Sequence, residues 1–156
     1  MARAGALWSD SLAEQASEAG ISGIQDYLDT AEERLASGDN HEAIHNARMA
    51  LERVVKSIAN RVADTVAGRA FGNALDVIEA RGIIDRSTRI HLGAPNVSAY
   101  GWLSVHGSHE DEESEAVVLR RAAEGRYGVA MTRGAIRLIL DAFAEFQRGT
   151  ESPSER

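Results

Sequence analysis

Cysteine is absent from this 156-residue chain, which excludes disulfides, cysteine-ligated zinc, iron–sulfur clusters and thiol catalysis. Proline occurs twice and aromatic residues make up 5%. A chain so poor in aromatics and so rich in Ala, Leu, Glu and Arg favours helix over sheet. Lysine is nearly absent as well: Lys56 stands alone among 17 basic residues, the rest being arginine. Together with the alanine excess this reads as the coding bias of a GC-rich bacterium, so arginine abundance by itself carries no functional weight. No window approaches 18 apolar residues, which excludes a membrane-spanning helix. No apolar segment follows Arg3, because Ser9 and Asp10 interrupt Leu7 and Trp8; no signal peptide is expected, and the cytoplasm is the default location.

Charged residues are 26% and the apolar set 44%, the balance of an ordinary globular chain with one domain and a real core. The net charge of -7 argues against duplex DNA as the main partner, since tight non-specific binding needs a basic footprint. A local basic strip can still bind RNA.

Helical periodicity dominates. Residues 1–20 are weakly periodic, with Ser9 or Ser11 able to start a short helix around Leu12 and Ala16. Ser22-x-x-Gln25 has capping-box form, and Ile24, Tyr27, Leu28, Ala31 and Leu35 follow one helical face up to Gly38. Asp39-x-x-Glu42 resembles a second capping box. Behind it Ile44, Ala47, Leu51, Val54, Val55, Ile58 and Val62 make a continuous apolar stripe, expected to end at Gly68. A third helix is expected over about 70–80, and Asp85 can cap a short turn through Ile90. Gly93 to Asn96 reads as a loop, and Val97 to Val105 as a short helix. A helix over about 113–124, weakened at Gly125 and Gly128, precedes a long one from Val129 to Phe146. In that last helix Ala130, Gly134, Leu138 and Ala142 share a face, with Met131, Ala135 and Ile139 beside them. The expected fold is a single all-α bundle of four to six helices over 21–148, with a long C-terminal helix and a disordered tail over 149–156.

Three constellations carry candidate chemistry. His41-Glu42-Ala43-Ile44-His45 is a literal H-E-x-x-H, the zinc-peptidase pattern in which two histidines ligate the metal and the glutamate activates water. It sits in the first turn after a loop, and Asp39 precedes it closely. On a helical wheel His41 and His45 lie about 80° and 120° from the centre of the apolar stripe, toward solvent. A capping or surface role is the competing reading. Arg86-x4-His91 has a spacing used by some helical ribonucleases, and equally suits a polar turn. His106-x-x-His109, with Ser104, Ser108 and the acidic run Glu110 to Glu113, is the densest polar cluster. Imidazoles there suit general acid–base chemistry, or a divalent ion with the carboxylates; the bland alternative is a solvated loop opening an acidic helix start. Tyr100 and Trp102 beside it can stack on a base or pack in the core.

Three segments in order resemble a known family. Ala43-Ile44 to Lys56-Ser57-Ile58 follows the pattern A-I-x-x-A-R-x-x-L-E-x-x-x-K-x-I. Phe71-Gly72-Asn73-Ala74-Leu75 leads through Ile78 to Gly82-Ile83-Ile84. Tyr100-Gly101-Trp102-Leu103-Ser104-Val105-His106-Gly107-Ser108-His109 opens the last long helix. This order is similar to the HEPN-like helical domains, including the C-terminal domain of abortive-infection proteins. The resemblance implies a helical bundle, often a homodimer, that binds RNA or nucleotides and serves phage defence. Active members use Arg-x4-6-His at the start of the final helix and cleave RNA without metal. Here His109 or His106 takes the histidine's place, while the positions four to six residues before either hold no arginine. The binding candidates are Tyr100, Trp102 and Ser104 with Arg120 and Arg121. Arg120, Arg121, Arg126, Arg133 and Arg137 lie on or near the final helix, where a dimer can gather them into a basic strip. His109 and His106 are the catalytic candidates, and no cofactor is expected. A non-catalytic dimerising module that regulates a partner is the alternative, and the zinc peptidase a remote one.

Overall fold

The computed structural model describes residues 4–63, 70–93 and 115–151. Among these residues it is all helical, with six helices: α1 (Ala4–Glu18), α2 (Gln25–Ser37), α3 (Asn40–Val62), α4 (Phe71–Ala80), α5 (Arg86–Gly93) and α6 (Glu115–Thr150). Helix α3 stops at Val62, where Ala63 turns extended, six residues before the expected stop at Gly68. Helix α5 runs past Ile90 and takes in Gly93, expected as the first loop residue. Residues 94–96 of that loop and the short helix expected over 97–105 lie outside the described residues.

Helix boundaries follow local chemistry. Gly38 adopts φ 84°, the left-handed conformation open to glycine. Its N–H reaches the Leu35 carbonyl, and the Asp39 N–H reaches that of Arg34 at 2.9 Å, the two bonds of a Schellman stop. Asp39 then turns from stop to start: its Oδ1 accepts the Glu42 N–H at 3.2 Å, capping α3. The same pair of bonds closes α4, from Gly82 to Glu79 and from Ile83 to Ile78. The expected Ser22–Gln25 capping box does not form. Helix α2 begins at Gln25 with Ile24 in the cap position and no side-chain cap bond. Gln25 bonds Asp29 instead, and the Ser22 carbonyl accepts Arg53 Nε at 2.6 Å.

Helix α3 is the centre. Ala43, Ile44, Ala47, Ala50, Leu51, Val54, Val55, Ile58 and Ala59 are buried, against α2, α4 and α6. Val62, the last residue of the expected stripe, is only partly buried. Each fully buried Leu, Ile or Val contributes roughly 1.5–3 kcal/mol of hydrophobic stabilisation before entropic costs. Leu12, Ala16, Leu28, Leu75, Ile78, Ile136, Ile139 and Phe143 join most of the α3 residues in the main core, while Ala43 and Ala47 form a smaller cluster with Ala31 and Val129.

Helix α6 departs from expectation twice. It runs unbroken through Gly125 and Gly128, and through Gly149 to Thr150. Gly125 is there for proximity: a Cβ on it would lie 2.5 Å from Asn40 Oδ1 at the start of α3. Gly128 accepts the hydroxyl of the buried Thr132 through its carbonyl at 2.8 Å, which satisfies the one polar group on the inward face. The second departure is rotational. Val129, Ala135, Ile136, Ile139, Leu140 and Phe143 face inward, while Ala130, Gly134 and Leu138 of the expected apolar face are exposed.

Helices α3 and α6 run parallel, since Gly125 meets Asn40 and Val129 clusters with Ala43 and Ala47 one to two turns on. At 1.5 Å per residue, α6 begins about 15 Å before the first turn of α3. Leu51 is 0% exposed at the heart of α3, so Leu51→Ala should cost about 2–5 kcal/mol in denaturant unfolding; a loss under about 0.5 kcal/mol would remove this face from the core.

Candidate functional site

The residues singled out by sequence fall into three sets along the chain. Tyr100, Trp102, Ser104, His106 and His109 lie outside the described residues. Arg120 lies on α6. Arg121, the next residue of that helix, is half-buried.

The second group is the H-E-x-x-H segment. His41 and His45 are half-buried in the first turns of α3, closer to the protein than the wheel implied, because α3 is embraced by its neighbours. His41 Nδ1 lies 3.7 Å from Glu42 Oε1. Glu42 is also tied to Asn46, whose Nδ2 donates to the Glu42 carbonyl at 2.8 Å and lies 3.5 Å from Oε2. Among the described residues no group of three His, Asp or Glu side chains is placed to hold a metal. A peptidase glutamate must face a metal-bound water; Glu42 is turned along its own helix. Purified protein should carry no stoichiometric zinc. Elemental analysis giving one zinc per chain, lost in His41→Ala, would reverse this.

The third group is on α5. Arg86 and His91 are five positions apart, about 140° on a helix, so the two do not share a face. Arg86 lies 3.7 Å from Glu79 of α4. Arg89 meets Asp76 at 2.6 Å and Glu79 at 3.8 Å. These pairs dock α5 on α4, mainly through Arg89, and His91 is exposed and takes no part in them.

The expected cap at Asp85 forms: Oδ1 accepts the Thr88 N–H at 2.7 Å. That backbone bond, the Thr88 hydroxyl and the Ser87 N–H hold the Asp85 carboxyl below its ordinary value. A depressed carboxylate contributes stability above its unfolded-state pKa and loses it as pH falls through the folded value. Asp85→Ala should therefore lower the Tm at pH 7, and the gap from wild type should close on acidification below the ordinary carboxylate range. A gap independent of pH would contradict the charged cap.

Several organising contacts carried no sequence signal. Arg61 donates to the carbonyls of Ala19 and Gly20, and with Arg53 on Ser22 it ties the α1–α2 connection to α3. Arg133 of α6 pairs with Glu32 of α2. Gln15 of α1 donates to Asp141 of α6 at 2.5 Å, and Arg137 Nε lies 3.6 Å from the same carboxylate. The α6 arginines expected to form a basic strip are thus partly neutralised: Arg133 and Arg137 each have an acid beside them, while Arg126 is exposed and points to solvent.

The A-I-x-x-A-R-x-x-L-E-x-x-x-K-x-I pattern on α3 is mostly packing. Its Ala43, Ile44, Ala47, Leu51 and Ile58 are buried. Of its polar members, Glu52 and Lys56 meet at 2.5 Å, and Arg48 is half-buried. No protein-family model, curated protein or solved structure matches the chain. Among the described residues no helix is long and apolar enough to cross a membrane.

Proposed function

We propose that this chain is a HEPN-like helical-bundle protein that binds RNA or nucleotides as a homodimer, in a bacterial cytoplasmic role of the abortive-infection type. The observation that carries the reading is the order of its segments. The A-I-x-x-A-R-x-x-L-E pattern falls on the central helix α3, the Phe71–Ile84 segment forms α4 and its Schellman stop, and the Tyr100–His109 segment stands before the long last helix. Aromatic rings at Tyr100 and Trp102 supply stacking surfaces for unpaired bases, which suits single-stranded RNA better than duplex DNA. His109 and His106 supply acid–base groups near neutrality. With no arginine at the family spacing, binding is the primary activity and cleavage rests on the histidines alone.

A second reading, a non-catalytic dimerising module that regulates a partner protein, is favoured by one specific feature: the outward face of α6 carries exposed Tyr127 and Leu138.

The two readings part in a binding titration. Fluorescence anisotropy with a labelled single-stranded RNA should show affinity falling about tenfold or more between 50 and 200 mM salt, the signature of a few released counterions. His109→Ala should remove whatever cleavage is present and leave the Tm unchanged. Absent or salt-insensitive binding would transfer the assignment to the partner-binding module.

A further inference from the structure

Helix α1 packs on α2 and α6, and its hold on them is slight. The Ser11 hydroxyl lies 3.5 Å from Arg137 Nη1, and Gln15 Nε2 donates to Asp141 Oδ1 at 2.5 Å. Four residues on α1 match four on α6 in the same direction, so the two helices run parallel. Leu12 and Ala16 are then level with the stretch of α6 that carries Leu140. From Ser11 to Glu18 only those two residues are buried, with Ala13 half-buried beside them, whereas α3 buries nine.

The end of α1 is fastened from outside. Arg61 of α3 donates Nη1 to the Ala19 carbonyl and Nη2 to the Gly20 carbonyl. Gly20 stands at φ 69°, and a Cβ on it would collide with that guanidinium. Directly beyond, Ile21 and Ile24 are buried, so the chain is anchored again within one residue of the turn. Gln15 is the weak point. Its Oε1 is buried and has no hydrogen-bond partner. An unmet buried acceptor regains water when the helix lifts away, which favours opening.

We propose that α1 is a strap that opens as one unit about Gly20, latched by Arg61, and controls access to an apolar strip between α2 and α6 that includes Leu28 and Leu140. The proposal goes beyond the functional reading and depends on neither RNA nor a second copy. Leu140 is 1% exposed and shares one cluster with Leu12, Ala16 and Leu28. It stands next to Asp141 and three residues from Arg137, the two α6 residues that α1 meets, so lifting α1 bares it. A pivot at Gly20 spares the rest of the bundle. Ile21 and Ile24 stay in place, and the contacts that join α2, α3 and α6 involve no α1 residue: Arg133 on Glu32, and Ala31 and Val129 against Ala43 and Ala47. Leu12, Gln15, Ala16 and the latched carbonyls follow one another within about two and a half turns, so they release together. The opened form is a minor state, populated at about 0.1–10%.

The chain has no cysteine, so one introduced thiol reports its own exposure. Ala16→Cys on α1, Leu140→Cys on the strip and Ala50→Cys in α3 each replace a buried side chain. With a thiol-reactive disulfide reagent in native buffer, the first two should label at a common rate, at least about a hundredfold above Ala50→Cys, and with a shallower dependence on denaturant. Arg61→Ala in the same backgrounds should raise those two rates about tenfold and leave that of Ala50→Cys within about twofold. Hydrogen exchange on the unsubstituted chain gives the same answer without any variant: amides from Leu12 to Glu18 should share one opening free energy. Ala16→Cys labelling no faster than Ala50→Cys would overturn the strap. So would Leu140→Cys reacting only at the Ala50→Cys rate, α1 amides opening one after another from the N-terminal end, or Arg61→Ala raising all three rates alike.

Discussion

The fold depends on the burial of α3. Nine of its side chains are removed from solvent along the helix, and every other helix except α1 and α5 packs directly on it. Such a helix has little polar face to spare. Its charged residues are half-buried and paired along the helix, as with Glu52 and Lys56, or reach across to neighbours, as Arg53 and Arg61 do to the α1–α2 connection. Small residues set the spacing: Ala43 and Ala47 cluster with Ala31 and Val129, and Gly125 admits Asn40. Close approach at the start of α3 fixes the register of α6, and with it which α6 side chains face outward.

That chain of constraints explains what was legible in the sequence. The end of α2, the start of α3, the span of α4 and the start of α5 were readable because their signals are local: a glycine at positive φ after the last turn, an aspartate that caps the next one, an apolar residue every three or four positions. The α3 stripe was readable because its other face is distinctly polar. Helix α6 was not. It has apolar or small residues on both sides, Ala130, Gly134 and Leu138 on one and Ala135, Ile136, Ile139 and Leu140 on the other, so periodicity alone fits two rotations. The rotation is decided by tertiary contacts: Gly125 against Asn40, Thr132 satisfied inward, Arg133 on Glu32. Gly125 and Gly128 read as breaks for the same reason; their helix cost of roughly 1 kcal/mol each is offset by packing that no local rule records. The Ser22 cap failed because α2 starts at Gln25 with Ile24 in the cap position, two residues beyond Ser22.

The candidate chemistry was less legible than the scaffold. Of two motifs with catalytic spacing, the glutamate of H-E-x-x-H on α3 is engaged in helix-internal bonding, and the two ends of Arg-x4-His on α5 do not share a face. Both match because polar residues recur at helical intervals on any amphipathic helix. A functional site needs side chains from different elements brought together, and spacing within one helix cannot establish that. The Tyr100–His109 segment lies outside the described residues, and its proposed chemistry rests on residue types alone.

Native-state hydrogen exchange followed by mass spectrometry or NMR tests the central role of α3 most directly. If α3 organises the fold, amides from Leu51 to Ala59 exchange only through global unfolding, and their opening free energy equals that from denaturant melts. Amides of α1 and α5 should open at lower free energy. Exchange in α3 faster than in α1 or α5, or an α3 opening energy well below the global value, would contradict the account.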